Sequence, residues 1–140
     1  LAGAAALAAG RAARAQAQAE LRLGAVFPLS GPLAPLGDES YRGVELAVEE
    51  RAAAGGVLGR PPRLIRADAP DGASAASEAR RLAAGADRVA PLFGSFSSAV
   101  ALPTSQVAEA AGVPFFETGA LGDGVVERGF RWVFRTSPRA

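Results

Sequence analysis

The 140-residue sequence is long enough for one domain with a hydrophobic core, because 49% of its residues are apolar and only 21% are charged. Its net charge of +1 provides no basic surface for nucleic acid or an anionic membrane. The sequence contains neither Cys nor His, which excludes disulfides and thiolate chemistry and removes the most common general base and metal ligand.

The first nineteen residues have the pattern of a secretory signal peptide. The apolar run LAGAAALAAG is too short to span a bilayer, and the Ala-Gln-Ala triplets at 15–17 and 17–19 fit the small-x-small cleavage rule. An Ala-rich helix or tail is the alternative. We expect export to a periplasmic or other extracytoplasmic location, with a mature protein that starts near Glu20. Since Met is absent, we also expect a piece of a longer protein.

After Glu20, short apolar runs alternate with amphipathic segments, which is the pattern of βα units that build a parallel sheet. The run Leu21–Phe27 predicts strand one, and a turn-rich loop follows it. Helix one is expected over 38–54, with acidic residues in its first turn and Gly55-Gly56 as its stop.

The same alternation continues to the end of the chain. The sequence predicts strand two over 63–67, helix two over 71–84, strand three over 88–93, helix three over 98–111, strand four over 114–117 and a further strand over 131–135. Aromatic residues near the C-terminus are expected in the core because their burial energies are large, namely Phe115, Phe116, Phe130, Trp132 and Phe134. The predicted fold class is therefore α/β, a three-layer parallel sheet of the flavodoxin or Rossmann type.

Three segments together resemble the leucine/isoleucine/valine-binding proteins of ABC transporters. They are GAVFPLSGPLAPLGDESYRGVELAVEERAAAGGVLGRPPRLIRAD, FGSFSSAVALPTSQVAEAAGVPFF and ERGFRWVFRTSP, in the order and spacing of that family. The resemblance implies a type I periplasmic-binding fold, in which two α/β lobes close on a ligand. Residues 20–140 would supply most of the first, N-terminal lobe.

The candidate site lies at the loops that follow the strands, because ligands bind beyond the carboxyl ends of parallel strands. These loops are 28–37, 94–98 and 118–124. Ser97 and Ser98 precede helix three, where a Ser can cap the helix and free N–H groups attract an anion. The residues alone leave a structural cap and a ligand contact both open.

The resemblance assigns ligand-binding roles within these loops. It implies that Ser98, next to Ser97, holds the α-carboxylate of the ligand through its hydroxyl. Groups at Gly119 and Leu121 complete that site, and Leu36 packs against the ligand. Leu121 stands where the family usually has Thr, and Leu36 where Tyr is frequent, so the identity of the solute is left open.

Glu117, at the end of strand four, has two open roles. Its carboxylate could face the cleft and select a cationic group of the ligand, or it could pair with a nearby Arg.

The resemblance implies a substrate-binding component of an ABC importer that captures a small carboxylate-bearing solute, such as a branched-chain or other amino acid or a related organic acid. Its partners would be that solute and a membrane permease. We expect a monomer without a cofactor, metal or nucleic acid. A ligand-sensing domain of the same fold, in an amide-responsive regulator or a receptor, is the alternative. An enzyme on a flavodoxin-like sheet is disfavoured, because no catalytic set and no GxGxxG after strand one is present.

Overall fold

The computed structural model describes residues 20–138, so the predicted signal segment 1–19 lies outside the described residues. Five parallel strands form one sheet in the order β2-β1-β3-β4-β5. Their bounds are Leu21–Phe27 for β1, Pro62–Asp68 for β2, Leu92–Gly94 for β3, Phe115–Glu117 for β4 and Val133–Arg135 for β5. Helices α1 (Ala34–Ala53), α2 (Gly72–Ala84) and α3 (Ser98–Ala111) connect the strands in turn, and a short 3₁₀ helix spans Asp123–Val125. The predicted parallel α/β fold is confirmed.

The helices cover opposite faces of the sheet, because successive side chains of a strand point to opposite sides. Ala25 and Phe27 of β1 pack with Tyr41 of α1 on one face. Val26 points the other way, into a larger core that α2 and α3 build with the central strands. The result is the expected arrangement of three layers.

Helix α1 begins at Ala34, four residues before the predicted start. Pro35 lies in the first turn, where its missing N–H leaves no hydrogen bond unmade, so a segment that looked like a loop is helical. Asp38 therefore lies beyond the first turn, and the predicted acidic helix start is wrong. Gly37 allows α1 to approach the end of β1, because a Cβ there would lie 1.9 Å from the carbonyl oxygen of Pro28.

Strand β3 begins at Leu92, so the predicted start at residue 88 is also wrong. Pro91 has no N–H to donate to a neighbouring strand, which ends regular pairing at that point. Two helix ends agree with the sequence. Gly55 follows α1 with a φ of +95°, and Gly112 follows α3 with a φ of +64°, both in the left-handed region.

The five C-terminal aromatic residues differ in burial, although all were expected in the core. Phe115 is fully buried, and Phe130 is partly buried against the core. Phe116 is half-buried, whereas Trp132 and Phe134 are 40% and 45% exposed, so the core prediction is wrong for these two. Phe116 stacks between Phe93 and Phe134, its paired residues on β3 and β5, on the α1 face of the sheet.

Candidate functional site

Three loops meet at the carboxyl edge of the sheet, because all five strands run in the same direction. They follow β1 (28–33), β3 (95–97) and β4 (118–122). Each of the six predicted ligand-binding residues lies in one of these loops, at the end of a strand or in the first turn of the helix that follows. The topology therefore brings Leu36, Ser97, Ser98, Glu117, Gly119 and Leu121 to one edge of the sheet.

Ser97 and Ser98 have separate roles in the structure. Ser97 is the N-cap of α3, and its Oγ accepts a hydrogen bond from the backbone N–H of Ala99 at 3.3 Å. Ser98 is the first residue of the helix, and its Oγ accepts a bond from the N–H of Gly122 at 3.0 Å. The hydroxyl proton of Ser98 has no acceptor among the residues that the structure describes. It can be donated to a ligand at the helix start.

A larger residue at position 122 would force the side chain of Ser98 to move. A Cβ on Gly122 would lie 2.9 Å from the Oγ of Ser98, which is closer than side-chain carbons normally approach. The loop after β4 therefore lies directly against the start of α3. The position of this loop relative to the start of α3 therefore sets the geometry of the predicted carboxylate site.

Glu117 is fully buried at the end of β4. Its Oε1 accepts backbone N–H bonds from Ser95 at 3.1 Å, Gly119 at 2.9 Å and Ala120 at 2.6 Å. Its Oε2 lies 3.4 Å from the hydroxyl of Ser137. The carboxylate thus binds the backbone of two loops, an arrangement that was not predicted from the sequence.

Burial raises the pKa of the Glu117 carboxyl above its ordinary value. The three N–H donors and the positive charge of Arg135 lower it, but the loss of hydration outweighs them. The ionised form is therefore costly in this position.

Arg135 reaches the same loop from the end of β5. Its side chain is only 6% exposed, and its guanidinium donates to the carbonyl oxygen of Gly122 and lies 3.4 Å from the carboxylate of Asp123. Its Nε is buried and has no hydrogen-bond partner within residues 20–138. The remaining nitrogens of the guanidinium thus bind the loop at Gly122 and Asp123.

Exposed apolar side chains complete the edge. Leu36 is 44% exposed and Leu121 is 49% exposed, and Gly119 leaves the backbone of the loop partly accessible. Hydroxyl and N–H donors for an anionic group thus lie near leucines that can contact an apolar one. Within the described residues there is no group of three or more Cys, His, Asp or Glu that could hold a metal, and no helix is sufficiently long and apolar to cross a membrane.

Sequence reasoning missed Ser95, Gly122 and Arg135, which bind Glu117, Ser98 and the loop between them. One signal was available for Arg135, because it ends a predicted strand at the edge where the ligand site is expected. The roles of Ser95 and Gly122 depend on their backbone N–H groups, which every residue except Pro has, so residue type gives no signal for them.

The chain matches the family model described as "Periplasmic binding protein" over residues 20–140. It is 52% identical over 130 residues to the Leu/Ile/Val-binding protein homolog 7 of Brucella abortus, covering 93% of this chain and 32% of that protein. It is 49% identical to homolog 8 of the same organism, covering 89% of this chain and 30% of the relative. The chain thus spans about a third of the length of the curated relatives it matches.

Solved structures show the same fold. The branched-chain amino acid transporter substrate-binding protein of Streptococcus pneumoniae, in complex with isoleucine, superposes with a TM-score of 0.82 at 30% identity, covering 86% of this chain and 34% of that one. An ABC transporter substrate-binding protein of Desulfitobacterium hafniense, in complex with Leu, gives a TM-score of 0.75 at 26% identity, covering 86% and 35%.

Proposed function

Because this chain belongs to the periplasmic binding protein family, we propose that it forms most of the first lobe of an extracytoplasmic receptor of an ABC importer. The receptor captures a small carboxylate-bearing solute, such as a branched-chain amino acid or a related organic acid, and delivers it to a membrane permease. The names of the similar proteins, and the isoleucine and Leu bound in two of the similar structures, support transport over sensing.

The hydroxyl of Ser98 is the observation that carries this proposal. Its oxygen accepts the N–H of Gly122, so its proton is oriented away from that bond and remains available to a ligand. Ser98 also lies at the positive end of the α3 helix dipole, which favours negative charge. A carboxylate is the anionic group that an amino acid offers to such a site.

Leu36 and Leu121 give the site its preference for the rest of the ligand. Both side chains are about half exposed at the same edge, where an aliphatic side chain would remove apolar surface from water. The carboxylate of Glu117 is buried and does not face the solute. In this proposal, contacts with the ammonium group of the solute therefore come largely from the second lobe.

The proposal is tested by calorimetry on the full-length polypeptide with L-isoleucine and L-isoleucinamide. The two compounds share the ammonium group and the side chain, and the amide lacks the carboxylate. We expect the amide to bind at least about tenfold more weakly, since hydrogen bonds to a charged group exceed those to a neutral one. A screen of leucine, valine and aromatic acids extends the test to other carboxylates. Equal affinity for acid and amide, or no binding of any carboxylate, would contradict the proposal.

A further inference from the structure

The carboxylate of Glu117 lies where three segments of the chain meet. Through Oε1 it binds the loop after β3 at Ser95 and the loop after β4 at Gly119 and Ala120. Its backbone carbonyl accepts bonds from the N–H and the hydroxyl of Thr136, just after β5, at 2.9 and 3.0 Å. One residue therefore connects the ends of three neighbouring strands at the ligand-binding edge.

The loop after β4 has few other anchors. Gly119 and Gly122 have no side chains, and Leu121 is half exposed. Ala120 alone in this loop is buried, and its single methyl group contributes little apolar area. Polar contacts therefore decide where the backbone of residues 118–122 lies.

The position of that loop bears directly on Ser98. The N–H of Gly122 binds the Oγ of Ser98, so a shift of the loop would break this bond or turn the hydroxyl. Arg135 holds the far end of the loop through Gly122 and Asp123, but it does not contact the N–H groups of Gly119 and Ala120. Glu117 accepts those bonds.

We propose that Glu117 is a positioning residue for the ligand site, which sets the affinity for the solute by holding loops 95–97 and 118–122 in register without contacting the solute. This inference rests on the proposed function, which supplies the solute. The positioning role itself rests on the hydrogen bonds of Glu117. An ionised acceptor shared by three N–H groups holds them more strongly than a neutral one. Burying the ionised carboxylate costs free energy. The same carboxylate orders the loop before the solute binds, which reduces the entropy lost on binding.

Glu117→Gln in the full-length protein tests this, because Gln keeps the shape and one acceptor oxygen but removes the charge. Glu109→Gln is the matched control. Glu109 also accepts two backbone N–H bonds, from Arg131 at 3.0 Å and Trp132 at 2.9 Å, but at the opposite edge of the sheet. Both variants and the wild type are compared above neutral pH by calorimetry with L-isoleucine and by amide hydrogen exchange without it.

We expect Glu117→Gln to weaken isoleucine binding roughly tenfold, and Glu109→Gln to leave it unchanged. Without isoleucine, amide exchange at Ser95, Gly119 and Ala120 should rise by about tenfold in Glu117→Gln, while exchange in the core of α3 stays as in wild type. A purely structural role would instead raise exchange throughout the core.

The calorimetry and the hydrogen exchange together distinguish a failure of this inference from a failure of the proposed function. Wild-type protein that binds no carboxylate would overturn the proposed function, and the exchange data would still judge the role of Glu117 in the loops. Unchanged exchange at Gly119 and Ala120 in Glu117→Gln would overturn the inference. Raised exchange with unchanged isoleucine affinity would overturn it as well, since the loops would then be ordered by Glu117 without consequence for binding.

Discussion

Adjacent residues at the carboxyl edge have different physical roles. Ser97 completes the hydrogen bonds of the α3 N-terminus, whereas Ser98 connects the helix to the loop after β4. Glu117 binds loop backbone and is enclosed, although it lies only two residues from Gly119, which is partly accessible. At this scale, stability and ligand binding can be separated by single substitutions.

Ser98→Ala and Ser97→Ala should have opposite profiles. In the full-length protein, Ser98→Ala removes the hydroxyl proposed to bind the carboxylate, so isoleucine affinity should fall roughly 10- to 100-fold. Ser97→Ala removes the helix cap and should cost about 1 kcal/mol of unfolding free energy with little change in affinity. Calorimetry and urea denaturation measure the two effects. Equal affinity of Ser98→Ala and wild type would show that the carboxylate binds elsewhere.

The buried carboxyl of Glu117 predicts a pH dependence of stability. Burial raises its pKa in the folded state, so the folded protein holds this proton more tightly than the unfolded chain does. Stability is therefore retained below the ordinary value of 4.5 and is lost as the pH rises through the folded pKa. Arg135, with its partner Asp123, is the charged group facing Glu117 from β5 and the 3₁₀ helix.

Glu117→Gln removes this titration. We expect the stability of wild type relative to Glu117→Gln to decrease as the pH rises above the ordinary carboxyl pKa of 4.5, as measured by urea denaturation at a series of pH values. A difference between the two proteins that does not change with pH would contradict the raised pKa. The variant can thus be more stable than wild type near neutral pH and still bind isoleucine more weakly.

At the scale of elements, the packing of α1 depends on where its glycines lie. Gly37 faces the end of β1, whereas Gly43 borders an open pocket that Phe93 and Thr118 also line, although both glycines are interior to the same helix. A Cβ on Gly37 would collide with the carbonyl oxygen of Pro28 at 1.9 Å, whereas a Cβ on Gly43 meets no atom within 4 Å. The same substitution therefore has two physical consequences.

Gly37→Ala should destabilise the protein by at least about 1–3 kcal/mol, because the backbone of α1 or of residue 28 has to move. Gly43→Ala should stabilise it by about 0.5–1 kcal/mol, because Ala loses less backbone entropy than Gly in a helix. Urea denaturation of the two variants beside wild type measures both effects. A destabilising Gly43→Ala would mean that this side of α1 is covered in the full-length protein.

At the scale of the whole molecule, the described residues present one wall of the proposed ligand site. Ser98 and the loop after β4 lie at the open carboxyl edge of the sheet, with Leu36 and Leu121 about half exposed beside them. Small-molecule sites normally enclose most of the ligand surface. A single lobe leaves much of the ligand in water.

The 140-residue chain alone should therefore bind L-isoleucine at least about 100-fold more weakly than the full-length protein, because it lacks the contacts of a second wall. Calorimetry on the two proteins under the same conditions measures the difference. Circular dichroism of the 140-residue chain must first show helix and strand content that matches the described fold. Similar affinities would show that this lobe holds the complete site.

The sequence by itself determined the order and type of the elements, because apolar runs, amphipathic segments and glycine stops are local signals. Leu21–Phe27 and Ser98–Ala111 have the predicted bounds. Local signals gave the wrong bounds at two prolines. Pro35 lies in the first turn of α1, which was predicted to start later, and β3 starts only after Pro91. The sequence also predicts that the candidate site residues share one edge of the sheet, because parallel strands end together. Tertiary structure alone decided the burial of Phe115 against the exposure of Phe134, and the binding of Glu117 to Ser95, Gly119 and Ala120. Burial depends on which strands lie side by side and which helix covers them, and backbone N–H groups are common to nearly all residue types, so these contacts exist only once the distant segments have met.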